Sequence, residues 1–160
     1  MAEEENNATS QASIRFSTAA IVFAFMSIES FINNMMSDFS SLPDPLFSVH
    51  EQGFLSERNV SFSISGTNIG KFELTNRKEY KRLEDKIVFL LRRFGGNVVI
   101  KNDSLWQRFD KTREIRDRLT HPRKDDEAPP TPVDARIALE VGKEIITLVS
   151  TKVWGKPVEF

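Results

Sequence analysis

Apolar residues recur at the spacing of an α-helix over most of this chain. The first such stretch runs from about residue 10 to residue 39, and its apolar positions include Ile21, Val22, Phe25, Ile28, Ile32 and Met36. Because these positions cover nearly all sides of the helix, we expect it to be the central one, packed by several neighbours. The sequence SSLPDP at 40–45 ends it, since proline cannot continue a helix. The polar residues 1–10 are predicted to form a disordered tail.

Three further segments keep the helical period. One begins at Asn76 and stops at Gly95-Gly96, the next starts at a cap on Asp103 or Ser104, and the last covers about 132–154. Their apolar positions are Tyr80, Leu83, Ile87, Leu90, Leu91 and Phe94, then Leu105, Phe109, Thr112, Ile115 and Leu119, then Ile137, Val141, Ile145, Leu148 and Val149. An acidic, proline-rich loop is expected at 124–132. These segments predict an all-α fold, an antiparallel bundle of four to five helices.

A short region between the first two helices has a different period. Val60, Phe62 and Ile64 are two apart, a turn sequence follows at 66–68, and Phe72 and Leu74 resume the alternation. This pattern predicts a small β-hairpin insertion near 60–74. A lone hairpin is marginally stable in water, so we expect it to lean on the helices. Residues 11–160 are therefore predicted to form a single helical domain.

Composition narrows the classes of protein to consider. With 160 residues the chain suffices for one sizeable core. It has no cysteine and two histidines, so we expect neither a disulfide nor a metal site, and no cofactor motif is present. Its longest apolar stretch, at 19–28, is about half the length of a membrane span. The acidic N-terminus is the reverse of a signal peptide, so a cytoplasmic protein without a membrane anchor is expected.

Charge is unevenly distributed along the chain. Residues 1–57 contain eight acidic residues and one basic residue, a net of −7, whereas residues 71–124 contain sixteen basic and eight acidic residues, a net of +8. The remainder contributes −2, which gives the overall −1. A basic middle permits a polyanion site. Such runs are also common on solvated helix faces.

Two residues of the third long helix carry the candidate chemistry. At about 100° per residue, with Leu105 at zero, Arg116 falls near 20°, inside the apolar arc, where an arginine is expected to pair with an acid or line a pocket. His121 follows five positions later, where Pro122 makes the helix end. Imidazole can accept and release a proton near neutral pH. A histidine before proline can equally be a capping residue without chemistry.

The first helix offers an acid that matches Arg116. Glu29 points from an apolar face, and Asn33 lies one turn further on. Glu29 could neutralise Arg116 between the helices. The alternative is a buried ion pair that fixes the register of two helices and does no chemistry.

These residues resemble the signature of the HEPN superfamily. That signature is an arginine, a polar residue and a histidine four to six positions past the arginine, near the end of a bundle helix; here the residues are Arg116, Asp117 and His121. The stretch 27–33, with Glu29, Phe31 and Asn33, is similar to the Glu-x-Phe-x-Asn pattern of one large HEPN group, and 83–87 resembles its middle helix. Together these segments cover about three quarters of the chain. The hairpin and the loop at 124–132 lie outside the family core.

The resemblance implies a HEPN-type bundle and a metal-independent endoribonuclease that cleaves RNA through its own 2′-hydroxyl, often a toxin or defence protein. Arg116 and His121 would be catalytic, and Asp117, Glu29 and Asn33 would support them. One histidine cannot serve both sides of an in-line displacement, so a homodimer with two Arg–His pairs in one cleft is expected.

Two other classes of function stay open. Many HEPN domains act as interaction modules, for instance beside a nucleotidyltransferase-like protein, and a toxin would bind an antitoxin. A plain dimerisation module is the third class, in which the charge at Arg116 matters only for folding.

Overall fold

The computed structural model describes residues 2–42, 46–96, 103–121 and 128–160, with side chains from Thr9 onward. Within these ranges the chain forms five helices and a two-stranded antiparallel sheet. In chain order the elements are α1 (Ala2–Ser40), α2 (Val49–Leu55), β1 (Arg58–Phe62), β2 (Phe72–Lys78), α3 (Leu83–Gly95), α4 (Ser104–Thr120) and α5 (Pro132–Trp154). The chain divides into two compact units, one of Met1–Glu29 with Leu90–Phe160 and one of Ser30–Phe89.

The first unit packs the N-terminal part of α1 with α4 and α5. Its core cluster consists of Ile21, Ala24, Ala135 and Ala138, with Ala20, Ile115 and Leu119 against it. The helices α1 and α5 are in contact at Gly142, where an added Cβ would lie 3.6 Å from the carbonyl oxygen of Ala24, an ordinary van der Waals distance. On the α4 side, Phe25 stacks on Phe109 with ring centroids 5.4 Å apart. Burial of these apolar residues stabilises the unit.

The second unit contains α2 and the β-hairpin. In the hairpin Phe62 lies opposite Phe72, Val60 opposite Leu74 and Arg58 opposite Lys78, with an irregularity between Arg58 and Val60. The hairpin packs on α2 at Gly53, where a Cβ would lie 2.5 Å from Val60 Cγ2 and 3.0 Å from the carbonyl oxygen of Arg58. The hairpin therefore packs against a helix, which supplies the stability that an isolated hairpin lacks in water.

A polar cluster in the second unit joins α1, α3 and the turn between α2 and β1. Lys86 of α3 is only 7% exposed. Its Nζ lies 2.7 Å from Glu57 Oε1 and donates to Asn33 Oδ1 at 2.8 Å. Burial acts to raise the pKa of Glu57, but the hydrogen bonds from Lys86 and from the backbone N–H of Lys81 outweigh it and lower that pKa below its ordinary value. Glu57 is therefore an anion that compensates a buried lysine.

Several sequence-based expectations are confirmed. The protein is mostly helical, and the hairpin is present, with strands that extend to Arg58 and Lys78. Asp103 caps α4, and α5 covers the predicted Pro132–Trp154. The helix α3 ends at Gly95 as predicted, and Gly96 follows with a φ of +75°. The loops expected at 40–45 and 124–132 lie partly outside the described residues.

Other expectations were wrong. Residues 2–10, predicted as a disordered tail, are helical and extend α1; early acidic residues favour a helix N-terminus electrostatically. Helix α3 begins at Leu83 rather than Asn76, because residues 76–78 pair in β2. Tyr80, which was placed on the apolar face of that helix, is 82% exposed.

One helix, α1, contains a segment, Thr9–Ser40, that is long and apolar enough to cross a membrane by length and composition. About a third of its most apolar window is buried inside the protein. Phe16, Phe23 and Met26 on this helix are 77%, 64% and 53% exposed. The helix thus combines core positions with an exposed apolar stripe.

Two glycines in helices provide a matched test of this packing. Gly53→Ala should destabilise the protein by about 1–3 kcal/mol, because the new methyl group overlaps Val60 and the hairpin backbone. Gly142→Ala should be neutral or stabilising by about 0.5–1 kcal/mol, because its Cβ meets only ordinary contacts and alanine favours a helix. Thermal unfolding followed by circular dichroism measures both, and equal melting temperatures for the two variants would contradict the α2–hairpin contact.

Candidate functional site

The helix α4 carries the candidate residues and has a defined start and end. The side chain of Asp103 accepts a hydrogen bond from the Leu105 backbone N–H at 3.1 Å, which satisfies one of the free donors at the helix N-terminus. At the other end the backbone N–H of His121 donates to the carbonyl oxygen of Asp117 at 2.9 Å, so His121 is the C-cap residue. The helix therefore stops at the residue before Pro122.

The guanidinium of Arg116 is held on three sides. Its NH2 donates to Glu29 Oε1 at 2.7 Å, and its NH1 lies 3.0 Å from Asp117 Oδ1. The guanidinium carbon lies 4.5 Å from the centroid of the Phe25 ring, within the range of a cation–π interaction. The expected pairing of Arg116 with Glu29 is thus present. Phe25 and Glu29 are one turn apart on α1, so a single helix face supplies both contacts.

The solvent exposure of the three charged side chains determines whether a ligand can reach them. The Arg116 side chain is 23% exposed, that of Glu29 is 40% exposed and that of Asp117 is 51% exposed. The pair is therefore partly solvated, in contrast to the buried pair considered from the sequence. Asp117 sits on the same helix as Arg116 and is half exposed, so its carboxylate can turn toward water. A phosphate oxygen could then take its place on NH1, while Glu29 and Phe25 keep the guanidinium oriented.

His121 lies at the exposed end of α4. It follows Arg116 by five residues, a rise of about 7.5 Å along a helix. In the part of the chain that the structure describes, no hydrogen bond or ion pair engages its imidazole. The ring is accordingly accessible to a ligand that approaches the C-terminal end of α4. Arg116 and His121 thus provide a fixed cation and an exposed imidazole on one helix.

Asn33 belongs to the second unit. There its side-chain oxygen accepts a hydrogen bond from Lys86 Nζ at 2.8 Å. The support of Arg116 by Asn33 stays a prediction. The residue missed by the sequence is Phe25, which was recognised only as a core position. Its spacing of four from Glu29 was the available signal.

Two further observations complete the description of the site. No group of three or more histidine, cysteine, aspartate or glutamate side chains is arranged to hold a metal ion among the described residues. Comparison with protein-family models, curated proteins and solved structures finds no match to this chain.

A second interhelical ion pair allows a controlled test of the Arg116–Glu29 contact. Arg108 and Glu144 pair through two hydrogen bonds, at 2.9 and 2.6 Å, with side chains 37% and 45% exposed. Glu29→Ala should cost about 1–2 kcal/mol of unfolding free energy, since it removes the interhelical partner of the less exposed guanidinium. Glu144→Ala should cost less than about 1 kcal/mol. Denaturant unfolding of both variants measures the difference. An equal or larger loss for Glu144→Ala would show that the Arg116 contact contributes no more than a surface pair.

Proposed function

We propose that this chain is a metal-independent endoribonuclease of HEPN type. The observation that supports it best is the arrangement on α4: Arg116 is oriented by Glu29 over the Phe25 ring, and His121 is accessible at the end of the same helix. The spacing of the two residues fits the HEPN signature. A helical bundle of HEPN type is part of the same proposal. A role as a toxin or defence protein in the cytoplasm, with an antitoxin as partner, follows from it.

The proposed chemistry assigns each group a step. A base removes the proton of the RNA 2′-hydroxyl, and the 2′-oxygen attacks the adjacent phosphorus. The bond from phosphorus to the 5′-oxygen breaks, and that oxygen leaves with a proton from an acid. The products are a 2′,3′-cyclic phosphate and a 5′-hydroxyl. Arg116 binds phosphate oxygens as negative charge accumulates, which a planar guanidinium does through two parallel hydrogen bonds.

One His121 cannot act as both base and acid on opposite sides of the phosphorus. We propose that a second copy of the chain supplies the other histidine, so that the enzyme is a homodimer. The exposed apolar side chains of α1, Phe16, Phe23 and Met26, are the surface that we assign to this contact. An exposed apolar stripe of this kind is typical of a protein interface.

The same stripe favours the second candidate function. A non-catalytic module would use it to bind another protein, such as a nucleotidyltransferase-like partner. In that case Arg116 and Glu29 would only fix the register of α4 on α1. The two candidates differ in whether His121 matters for RNA cleavage.

Substitution of His121 separates these functions. His121→Ala should leave the unfolding free energy within about 0.5 kcal/mol of wild type, because the residue is exposed. It should lower the rate of RNA cleavage by about 10²-fold or more, the usual loss for a general acid or base. Arg116→Lys should also lose most activity, since an ammonium cannot copy the guanidinium fork.

The other histidine of the chain is the matched control. His50→Ala removes an exposed imidazole in the second unit and should cleave like wild type. Undiminished cleavage by folded, highly purified His121→Ala protein would refute the assignment of His121 as a catalytic residue. Absence of cleavage by wild type over a broad panel of RNAs would favour the interaction module.

The proposed homodimer can be tested by measuring the mass of the particle in solution. Light scattering should give about twice the chain mass of 18.3 kDa at micromolar concentration. Phe23→Lys should shift the protein to monomer and lower cleavage in parallel, because it places a charge in the apolar contact. Ile64→Lys, at a 79% exposed position in the hairpin turn, should change neither property. A monomeric wild type with full activity would exclude the shared site.

A further inference from the structure

The segment from the end of the hairpin to the start of α3 presents an exposed aromatic ring among cations. Residues 77–82 read Arg-Lys-Glu-Tyr-Lys-Arg and comprise the last two residues of β2 and the connection to α3. Tyr80, at the middle of this segment, is 82% exposed. An aromatic side chain this exposed adds little to folding, because it removes almost no apolar area from water.

The charges of this segment do not cancel. Lys81 Nζ lies 2.6 Å from Glu79 Oε1 and 5.5 Å from the centroid of the Phe54 ring, so one cation and the only acid of the segment neutralise each other. The remaining cations, Arg77, Lys78 and Arg82, are exposed. Among the residues that the structure describes, none of the three forms an ion pair. Tyr80 therefore has three cations within three residues of it in sequence, and none of them forms an ion pair among the described residues. Lys78 acts on the Glu57 carboxylate only at longer range.

The backbone of the segment is nevertheless fixed. The N–H of Glu79 donates to the carbonyl oxygen of Glu57 at 2.8 Å, and the N–H of Lys81 donates to Glu57 Oε1 at 3.2 Å. Glu57 has a φ of +52° and is itself tied to the buried Lys86 at 2.7 Å. Because the bonds at residues 79 and 81 flank Tyr80, little backbone entropy is lost when this residue meets a ligand.

We infer that residues 77–82 form a binding surface for single-stranded RNA. The ring of Tyr80 stacks on one unpaired base, and Arg77, Lys78 and Arg82 bind the flanking phosphates. Stacking on an exposed ring requires a base that is free of its own neighbours, which a single strand offers and a duplex does not. The inference names the substrate class of the proposed nuclease and rests on that proposed function for the choice of RNA over DNA.

Fluorescence anisotropy measures this binding directly. The probe is a labelled single-stranded oligoribonucleotide of mixed sequence, with its duplex and the matching single-stranded DNA as comparisons. The 160-residue chain with His121→Ala serves as the parent, so that cleavage does not consume the probe. Tyr80→Ala, Tyr80→Phe and the double variant Arg77→Gln/Lys78→Gln are made in that parent. The control is Lys152→Gln/Lys156→Gln, which removes two exposed cations in the first unit. Circular dichroism verifies that each variant is folded.

The parent should bind the single strand more tightly than the duplex. Tyr80→Ala should weaken binding by about tenfold, the usual effect of losing one stacked base, and Tyr80→Phe should restore it. The variant Arg77→Gln/Lys78→Gln should reduce the salt slope of log affinity by about 1.4, since each phosphate contact to a single strand contributes about 0.7. The control should keep the parent's affinity and salt slope.

Each of the following results would contradict the inference or the proposed function on which it rests. Unchanged binding by Tyr80→Ala and by the double-cation variant would place the RNA elsewhere. Equal affinity for duplex and single strand, or tighter binding of the DNA, would refute the substrate class. Absence of RNA binding by the parent would refute the inference and would favour a protein as the ligand of this surface. If wild type cleaves RNA while Tyr80→Ala binds and cleaves normally, this inference fails and the proposed function stands. If wild type binds RNA through Tyr80 and never cleaves it, the inference about binding stands and the proposed nuclease function fails.

Discussion

The candidate site depends on one contact, the ion pair between Arg116 of α4 and Glu29 of α1 over the ring of Phe25. A guanidinium that is only 23% exposed needs a partner, because removing a charge from water without one is costly. Glu29 supplies that partner and Phe25 supplies the face beneath it, both from one side of α1. The contact therefore sets the register of α4 on α1. It also leaves the last turn of α4, with His121, at the surface.

Most of the fold was predictable from local patterns. The helical period, the cap at Asp103 and the double glycine at the end of α3 each depend on neighbouring residues only. The sequence analysis did not predict the short helix α2, although Ser48 and Glu51 form a capping box, which is a sequence signal for the start of a helix. Its Gly53 lowers helix propensity and is explained only by the approach of Val60. The start of α3 was misplaced for a similar reason, since pairing of residues 76–78 with β1 is a tertiary effect.

The candidate site was predictable in part. The position of Arg116 in the apolar arc of its helix predicted either an acidic partner or a pocket, and Glu29 was the acid that matched. The second carboxylate on the guanidinium, that of Asp117, depends on a rotamer that no periodicity specifies. Asn33 shares a helix with Glu29 but bonds to Lys86, a residue 53 positions away in sequence. Spacing along a helix identifies a face, whereas the partner on that face depends on which elements pack there.

We propose that Arg116 and His121 cleave RNA through its own 2′-hydroxyl. The test is incubation of wild type in EDTA with two matched oligonucleotides, one of RNA and one methylated at every 2′-oxygen. We expect that the RNA alone is cut and that its products end in a 2′,3′-cyclic phosphate and a 5′-hydroxyl. Cleavage of the methylated strand, or cleavage that EDTA abolishes, would contradict it.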